Sequence, residues 1–322
     1  MDISYLVWLQ GVRDSLPVFF EQLFLLISAI ATSKALIVIP CLLFWCLDKR
    51  AGQYVLFSFS LGNLVNQFIK NTACVYRPWI RDAAVQPVQA ALPEATGYSF
   101  PSGHSVSAAT LIGALGWNYR KRWPLLNVLC WVFVALVVLS RNILGVHTPQ
   151  DVLVGLLEGV LLVIAVERLL VWIDERAGRD LVVLIVAVAV GVAYVAYVAL
   201  KPYPLDYSET GELLVDPVAM QVDCFKSAGV FFGAVTGWFL ERRFLAFEVD
   251  PKAAGVKRMV VRFAIGFAVV AVFHVAPRLL LSVGLDERWF ELVKNGLTVF
   301  AAAFAGPAAF CAVERKLYGG RQ

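Results

Sequence analysis

Charge is scarce in this sequence. Asp, Glu, Lys and Arg make up 16% of 322 residues and hydrophobic residues 60%, against roughly 25% and 45–50% in soluble domains. Mean hydropathy is +0.73. That balance excludes a disordered chain, and with a net charge of only +4 it excludes a nucleic-acid-binding domain. Histidine is scarcer still, with three copies. The six cysteines stand singly at 41, 46, 74, 130, 224 and 311, without a CxxC pair, which argues against a zinc centre, a redox motif or a disulfide scaffold. Most fall in apolar stretches, where a thiol packs as a small hydrophobe. Cys74 and Cys224 alone lie near loops on one common side, and a bridge between them stays open. The first ten residues carry no Lys or Arg, and no short apolar core with a small-residue cleavage site follows. A cleavable signal peptide is therefore not expected.

What the sequence has in quantity is apolar runs near the roughly 20 residues that cross a bilayer. The expected fold is all-α, a polytopic membrane helical bundle of about nine transmembrane helices plus an N-terminal interfacial helix. Residues 3–27 are apolar but broken by Arg13, Asp14, Pro17 and Glu21, and read as one or two helices lying in the interface. Spans are expected near 31–47, 54–70, 103–119, 123–139, 149–171, 181–200, 225–240, 260–281 and 289–312. Alternate loops differ in basic residues. One side collects Lys49, Arg50, Arg120, Lys121, Arg122, Arg176, Arg179, Arg242, Arg243, Lys252, Lys257, Arg258, Arg315 and Lys316, and the positive-inside rule assigns it to the cytoplasm. The N-terminus then lies outside and the C-terminus in the cytoplasm, with the loop 71–100 and the link around Asn142 facing outward. Two regions are expected: 1–178, which holds every motif described next, and 179–322, a C-terminal extension of about four transmembrane helices. A bacterial plasma (inner) membrane suits the compact chain without targeting signals.

Three polar clusters fall at the outer ends of these spans. Lys70 and Arg77-Pro78 place two cations where they can hold one anion, and the planar fork of Arg suits phosphate; alone, the pair equally describes interfacial snorkelling. Pro101-Ser102-Gly103-His104 precedes an apolar run. Ser is a good helix cap, Gly lets the backbone approach a ligand, and free N–H groups at a helix start bind anions. His104 adds a group that exchanges protons near neutrality; the plain alternative is a capped helix with an interfacial imidazole. The third cluster is Ser140-Arg141, His147 and Asp151. His147 and Asp151 are four apart, and on a helix they share a face. A carboxylate on one ring nitrogen fixes the tautomer and leaves the other free as nucleophile or base. The alternative is a structural ion-pair cluster, but ionisable groups at such depth are costly. Together the three clusters supply cations for phosphate, neutral donors, a nucleophile, its orienting acid and a proton donor. That set is complete for metal-free phosphoryl transfer through a phosphohistidine.

Lys70-x6-Arg77-Pro78, Pro101-Ser102-Gly103-His104 and Ser140-Arg141-x5-His147-x3-Asp151, in that order, resemble the three signature motifs of the type 2 phosphatidic acid phosphatase superfamily. That group takes in lipid phosphate phosphatases, undecaprenyl diphosphate phosphatases, sphingosine phosphate phosphatases, glucose-6-phosphatase and soluble vanadium haloperoxidases. The likeness covers about residues 31–171 and about eleven positions, far more than one short motif supplies. It implies an enzyme, a metal-independent phosphoric ester hydrolase acting as phosphatase or diphosphatase, with no cofactor. His147 would attack phosphorus, Asp151 hold its ring, and His104 protonate the leaving alkoxide and then activate water. Lys70, Arg77, Ser102, Gly103 and Arg141 would hold the phosphate oxygens. The expected partner is a membrane lipid phosphate in the bilayer, reached from the extracytoplasmic face.

Other polar residues are less diagnostic. Asn66 is one turn from Lys70 and either supports it or bonds a neighbouring helix. Glu158, about two turns beyond Asp151, is either a protonated structural acid or part of a polar cavity. Arg81 either adds charge to the site or pairs with Asp82, and pairing is the expectation. Lys226, His274 and Arg278 are candidate headgroup contacts, with a structural polar cluster as the plainer account. Two other functions compete. One is hydrolysis of a soluble phosphate ester in the manner of glucose-6-phosphatase. The other is a non-hydrolytic lipid or anion transporter, against which His104 and the His147–Asp151 pair argue, because binding alone needs no nucleophile.

Overall fold

The computed structural model describes residues 2–318, less the side chains of residues 34, 35, 251–254, 280–283 and 318. Regular structure among the described residues is helical, apart from one isolated bridge between Tyr207 and Leu213. Helices α1 (Asp2–Ser15) and α2 (Val18–Thr32) are parted by Pro17, which cannot donate a backbone hydrogen bond but suits a helix start. Ser33 is extended and ends α2. A 3-10 turn (Lys34–Ile37) then leads to α3 (Val38–Leu42), which continues through a π-helical turn (Leu43–Leu47). The span expected over 31–47 is thus not one helix: the break at Ser33 gives its first two residues to α2.

The chain continues through α4 (Lys49–Ala73), the short α5 (Pro78–Arg81) and a 3-10 turn (Gln89–Glu94). α6 (Gly103–Ala108) joins α7 (Ala114–Tyr119) through a π-helical turn. Then come α8 (Pro124–Ile143), α9 (Pro149–Glu175), α10 (Arg179–Leu200), α11 (Pro217–Leu240), α12 (Pro251–Val275), α13 (Glu287–Phe300) and α14 (Gly306–Tyr318). Among the described residues, five helical stretches are long and apolar enough to cross a membrane: Pro124–Ile143, Arg179–Leu200, Pro217–Leu245, Gly255–Leu279 and Glu287–Leu317. Leu125, Leu129, Ile185 and Val192 stand exposed on the first two, a cost in water and none in lipid. The chain is an integral membrane protein. α4 and α9 have the length to cross but carry Asn63, Asn66, Gln67 and Lys70, and Asp151, Glu158, Glu167 and Arg168. All six cysteines are free thiols, so Cys74 and Cys224 form no bridge.

Two compact units divide the chain. The first is Met1–Leu36, Leu61–Ala165 and Leu200–Gln221; the second is Ile37–Ser60, Val166–Ala199 and Val222–Gln322. In the first, Ile27 and Ala31 of α2 pack with Ala108, Ala109, Val134 and Val137. The loop after α5 folds back so that Val88, Ala91 and Ala95 cluster with Leu144 and Val146. Tyr98 packs with Val215 and Met220. Arg81 donates to Asp2 (2.9 Å), not to Asp82, whose carboxylate caps the turn at Ala84 (2.9 Å). The expected Arg81–Asp82 pair is lost because Asp82 closes its own turn.

In the second unit, Glu314 meets Arg262 through two bonds of 2.6 and 3.0 Å and Arg258 at 2.6 Å. Glu314 and Arg262 are both buried. Removing one partner of such a pair strands a buried charge and costs about 3–5 kcal/mol, whereas an apolar pair of like volume is often tolerated. Glu314→Leu is therefore expected to lower the unfolding temperature in detergent sharply. Adding Arg262→Met should recover most of the loss; no recovery would show that packing, not the stranded charge, sets the cost.

Candidate active site

The third cluster is built by the end of one helix and the start of the next. α8 closes with Gly145 in the left-handed region (φ 72°), a conformation that glycine adopts without a Cβ penalty. Gly145 N donates to Asn142 O (2.9 Å) and Val146 N to Arg141 O (3.2 Å). Those two bonds are the Schellman closure of a helix. Three residues later α9 opens with a capping box: Asp151 N donates to Thr148 Oγ1 (3.3 Å) and Thr148 N to Asp151 Oδ2 (2.8 Å). His147 lies between the two devices, outside both helices. It meets Asp151 because the box turns the carboxylate back, and not by the continuous helical face that the i, i+4 spacing suggests.

His147 Nδ1 lies 3.4 Å from Asp151 Oδ2 and 3.4 Å from Ser99 Oγ. Ser99 donates to the same carboxylate oxygen at 2.5 Å. On the other edge of the ring, Arg77 Nη1 is 2.8 Å from Nε2. A guanidinium only donates, so Nε2 carries the lone pair and Nδ1 the proton. His147 is 1% exposed. Burial first, then the charges of Arg77, Arg141 and Lys70, hold its proton affinity well below the ordinary histidine value.

The cations are held by backbone carbonyls. Lys70 Nζ donates to Tyr98 O and Pro101 O, both at 2.9 Å. Arg77 donates to Gly97 O (3.1 Å), Thr96 O (2.8 Å) and Val146 O (3.0 Å). Burial and the neighbouring Arg141 bring the pKa of Arg77 down to about 9, still cationic at neutral pH. Arg141 Nη1 donates to Ser28 Oγ (2.5 Å), while its Nε and Nη2 are buried without a partner among the described residues.

Ser102 caps α6, its Oγ accepting from Ser105 N (3.4 Å), and its own N–H donates to Asp151 O (2.9 Å). This turn lies against α9 at Gly155, where a Cβ would stand 2.7 Å from Ser102 O. Gly103 follows at the first turn of α6, and a Cβ there would meet Asn66 Oδ1 at 3.4 Å. His104 Nε2 lies 3.2 Å from Glu94 Oε2, which also accepts from Thr32 Oγ1 (3.3 Å). The bond to His104 is the largest of the effects that hold the Glu94 carboxyl below its usual range, against the opposing effect of burial.

Lys70, Arg77, Ser102, Gly103, His104, Arg141, His147 and Asp151 all belong to the first unit, and Lys226, His274 and Arg278 to the second. Lys226 and Arg278 are exposed, and His274 Nδ1 is 3.2 Å from Thr298 Oγ1. Asn66 donates to Glu158 Oε2 (3.3 Å), so it answers a helix neighbour. Ser28, Glu94, Ser99 and Thr148 touch the cluster without standing in any of the motifs. Only Thr148 had a visible signal, as the first residue of a capping box.

Residues 51–175 match the model of the PAP2 superfamily, and residues 225–318 that of the PAP2 superfamily phosphatase, transmembrane extension. Phosphatidylglycerophosphatase B of Bacillus subtilis is 33% identical over 135 residues, 40% of this chain and 60% of that protein. Undecaprenyl-diphosphatase of Sulfolobus acidocaldarius is 30% identical over 111 residues, 34% of this chain and 51% of that protein. The matches thus span less than two thirds of these relatives' own lengths. A crystal structure of a transmembrane PAP2 type phosphatidylglycerolphosphate phosphatase from Bacillus subtilis aligns with a TM-score of 0.43 and 26% identity, covering 53% of this chain and 86% of that one. With one segment matching the superfamily and a second matching its transmembrane extension, and with all three motifs gathered in one buried cluster, the chain belongs to the PAP2 superfamily.

Proposed function

We propose that the protein is an integral membrane phosphatase that hydrolyses a lipid phosphate monoester or diphosphate through a phosphohistidine. The observation that carries this reading is the two-sided hold on His147. Asp151 and Ser99 lie at Nδ1, and a cation lies at the Nε2 lone pair. A phosphate placed among Lys70, Arg77 and Arg141 puts its phosphorus within reach of that nitrogen. Nε2 bonds to phosphorus, the bond to the leaving oxygen breaks, and His104 supplies the proton. His104 then takes a proton from water, the hydroxide attacks phosphorus, and the P–N bond breaks to release phosphate. The Nδ1 proton stays with His147 throughout, held towards Asp151. Ser102 and Gly103, at the start of α6, add neutral donors for the oxygens. Three cations supply the charge neutralisation that many phosphoryl-transfer sites draw from a metal, so the reaction is metal-independent.

The substrate class follows from the setting. The relatives' names specify a phosphatidylglycerophosphatase and an undecaprenyl-diphosphatase, and exposed apolar helices let a lipid tail stay in the bilayer. Lys70, Arg77 and the link at Asn142 sit on the side with fewer basic loops, so the site faces the periplasm or exterior of a bacterial plasma membrane. α4, the α6–α7 pair and α9 then count as spans beside the five long apolar helices.

Phosphate release by purified protein in detergent, with EDTA present, is the direct test. Phosphatidic acid, phosphatidylglycerol phosphate, a polyprenyl diphosphate and glucose 6-phosphate form the panel. Release from a lipid is expected, and His147→Ala and His104→Ala should each lower kcat by on the order of a thousandfold or more. Near-normal turnover by His147→Ala would remove it as nucleophile, and release from glucose 6-phosphate alone would favour a soluble ester. Asp151→Asn should keep the fold and lower kcat by on the order of a hundredfold or more, since the wrong tautomer is then admitted.

The pH dependence has a definite sign. Falling pH protonates His147 and removes the lone pair, and its lowered proton affinity delays that loss. After correction for the substrate's own ionisation, the acid limb of kcat/KM is expected below the ordinary histidine value of about 6.5. A limb above that value would contradict the buried, cation-flanked setting.

A further inference from the structure

Arg141 has a hold unlike those of the other two cations. Lys70 and Arg77 are pinned by several carbonyls each. Arg141 is 1% exposed and meets Ser28 Oγ through Nη1, with Nε and Nη2 unpartnered among the described residues. A guanidinium is planar and rigid, so fixing one nitrogen largely fixes where the other donors stand. Ser28 is itself 2% exposed. It lies on α2, outside both segments that match the superfamily, 51–175 and 225–318.

The position of Ser28 is over-determined by its helix. Ile27, just before it, and Ala31, three residues on, pack into the cluster with Ala108, Ala109, Val134 and Val137. Val134 and Val137 belong to α8, the helix that also carries Arg141. The hydroxyl is thus set by the same packing that sets the backbone of its partner. The opposite side of α2 exposes Phe19, Leu26 and Ile30, so the helix has one face for the core and one for lipid.

We infer that Ser28 is a positioning residue for the phosphate site: it orients Arg141 so that Nε and Nη2 are presented to the phosphate oxygens. The inference rests on the reading of Arg141 as a phosphate ligand. It adds an N-terminal helix to a site whose motifs all lie beyond residue 69. Ser28 touches no reacting atom, and its effect passes through the guanidinium.

The test reads binding without turnover. Full-length protein in detergent is titrated calorimetrically with inorganic phosphate, comparing wild type, Ser28→Ala, Arg141→Ala and the double variant. Ser28→Ala is expected to weaken phosphate binding about tenfold, the scale of one hydrogen bond to a charged group. Arg141→Ala should weaken it further, and the double variant should match Arg141→Ala, because Ser28 acts only through Arg141. Ser28→Thr, which keeps the hydroxyl, should stay close to wild type and guards against a misfolded alanine variant. Wild-type affinity in Ser28→Ala, or additive losses in the double variant, would overturn the inference. So would wild type that binds no phosphate. Mutant-sensitive lipid hydrolysis with phosphate affinity indifferent to Ser28 would overturn this inference alone and leave the phosphatase reading intact; absence of both binding and hydrolysis would remove the two together.

Discussion

Three buried cations crowded around one histidine repel each other, and the site depends on how that repulsion is held. Carboxylates would do it simply, but they would cancel the positive charge of the cluster. The structure uses carbonyls instead. Five backbone oxygens between residues 96 and 146 receive Lys70 and Arg77 at 2.8–3.1 Å. A carbonyl lone pair stabilises a cation without neutralising it, so the positive potential survives burial. The loop from Thr96 to Pro101 therefore owes its course to two side chains, and those side chains owe their positions to the loop. Asp151 is the carboxylate beside His147, and it lies at the ring edge opposite Arg77.

Much of this arrangement is legible in the sequence. Eleven motif positions carry chemistry that few other patterns demand, and apolar runs force helices in a bilayer. The rest is not legible for identifiable reasons. Ser99 sits in an irregular loop between two aromatic residues, where no periodicity assigns it a direction. Glu94 follows a proline in a 3-10 turn and reaches His104 only because the loop folds back. Ser28 is 113 residues from Arg141, and one serine in an apolar helix has no distinguishing neighbours.

The spans show the same limit from another side. Hydropathy finds α8, α10, α11, α12 and the stretch from α13 through α14 because each holds a long apolar window. α4 and α9 mix the same residues with the polar groups of the cluster, so composition alone does not assign them as spans. Between 31 and 47 the error runs the other way. Apart from Thr32-Ser33-Lys34 the stretch is apolar, and the backbone of Ser33 breaks the helix at that polar point. His147 and Asp151 give a subtler case: the spacing is right for a helix, and the contact is real, but two helix ends produce it.

That junction has a mechanical consequence. Between Ile143 and Pro149 the chain has no slack, since Gly145 spends its freedom on the reversal and Thr148 is committed to the cap. His147 is strung on the short link between two capped helix ends. Any change in the angle at which α8 and α9 lean is transmitted to the imidazole without a loop to absorb it. Helix lean answers to bilayer thickness, which ties the setting of the imidazole to the lipid around the protein.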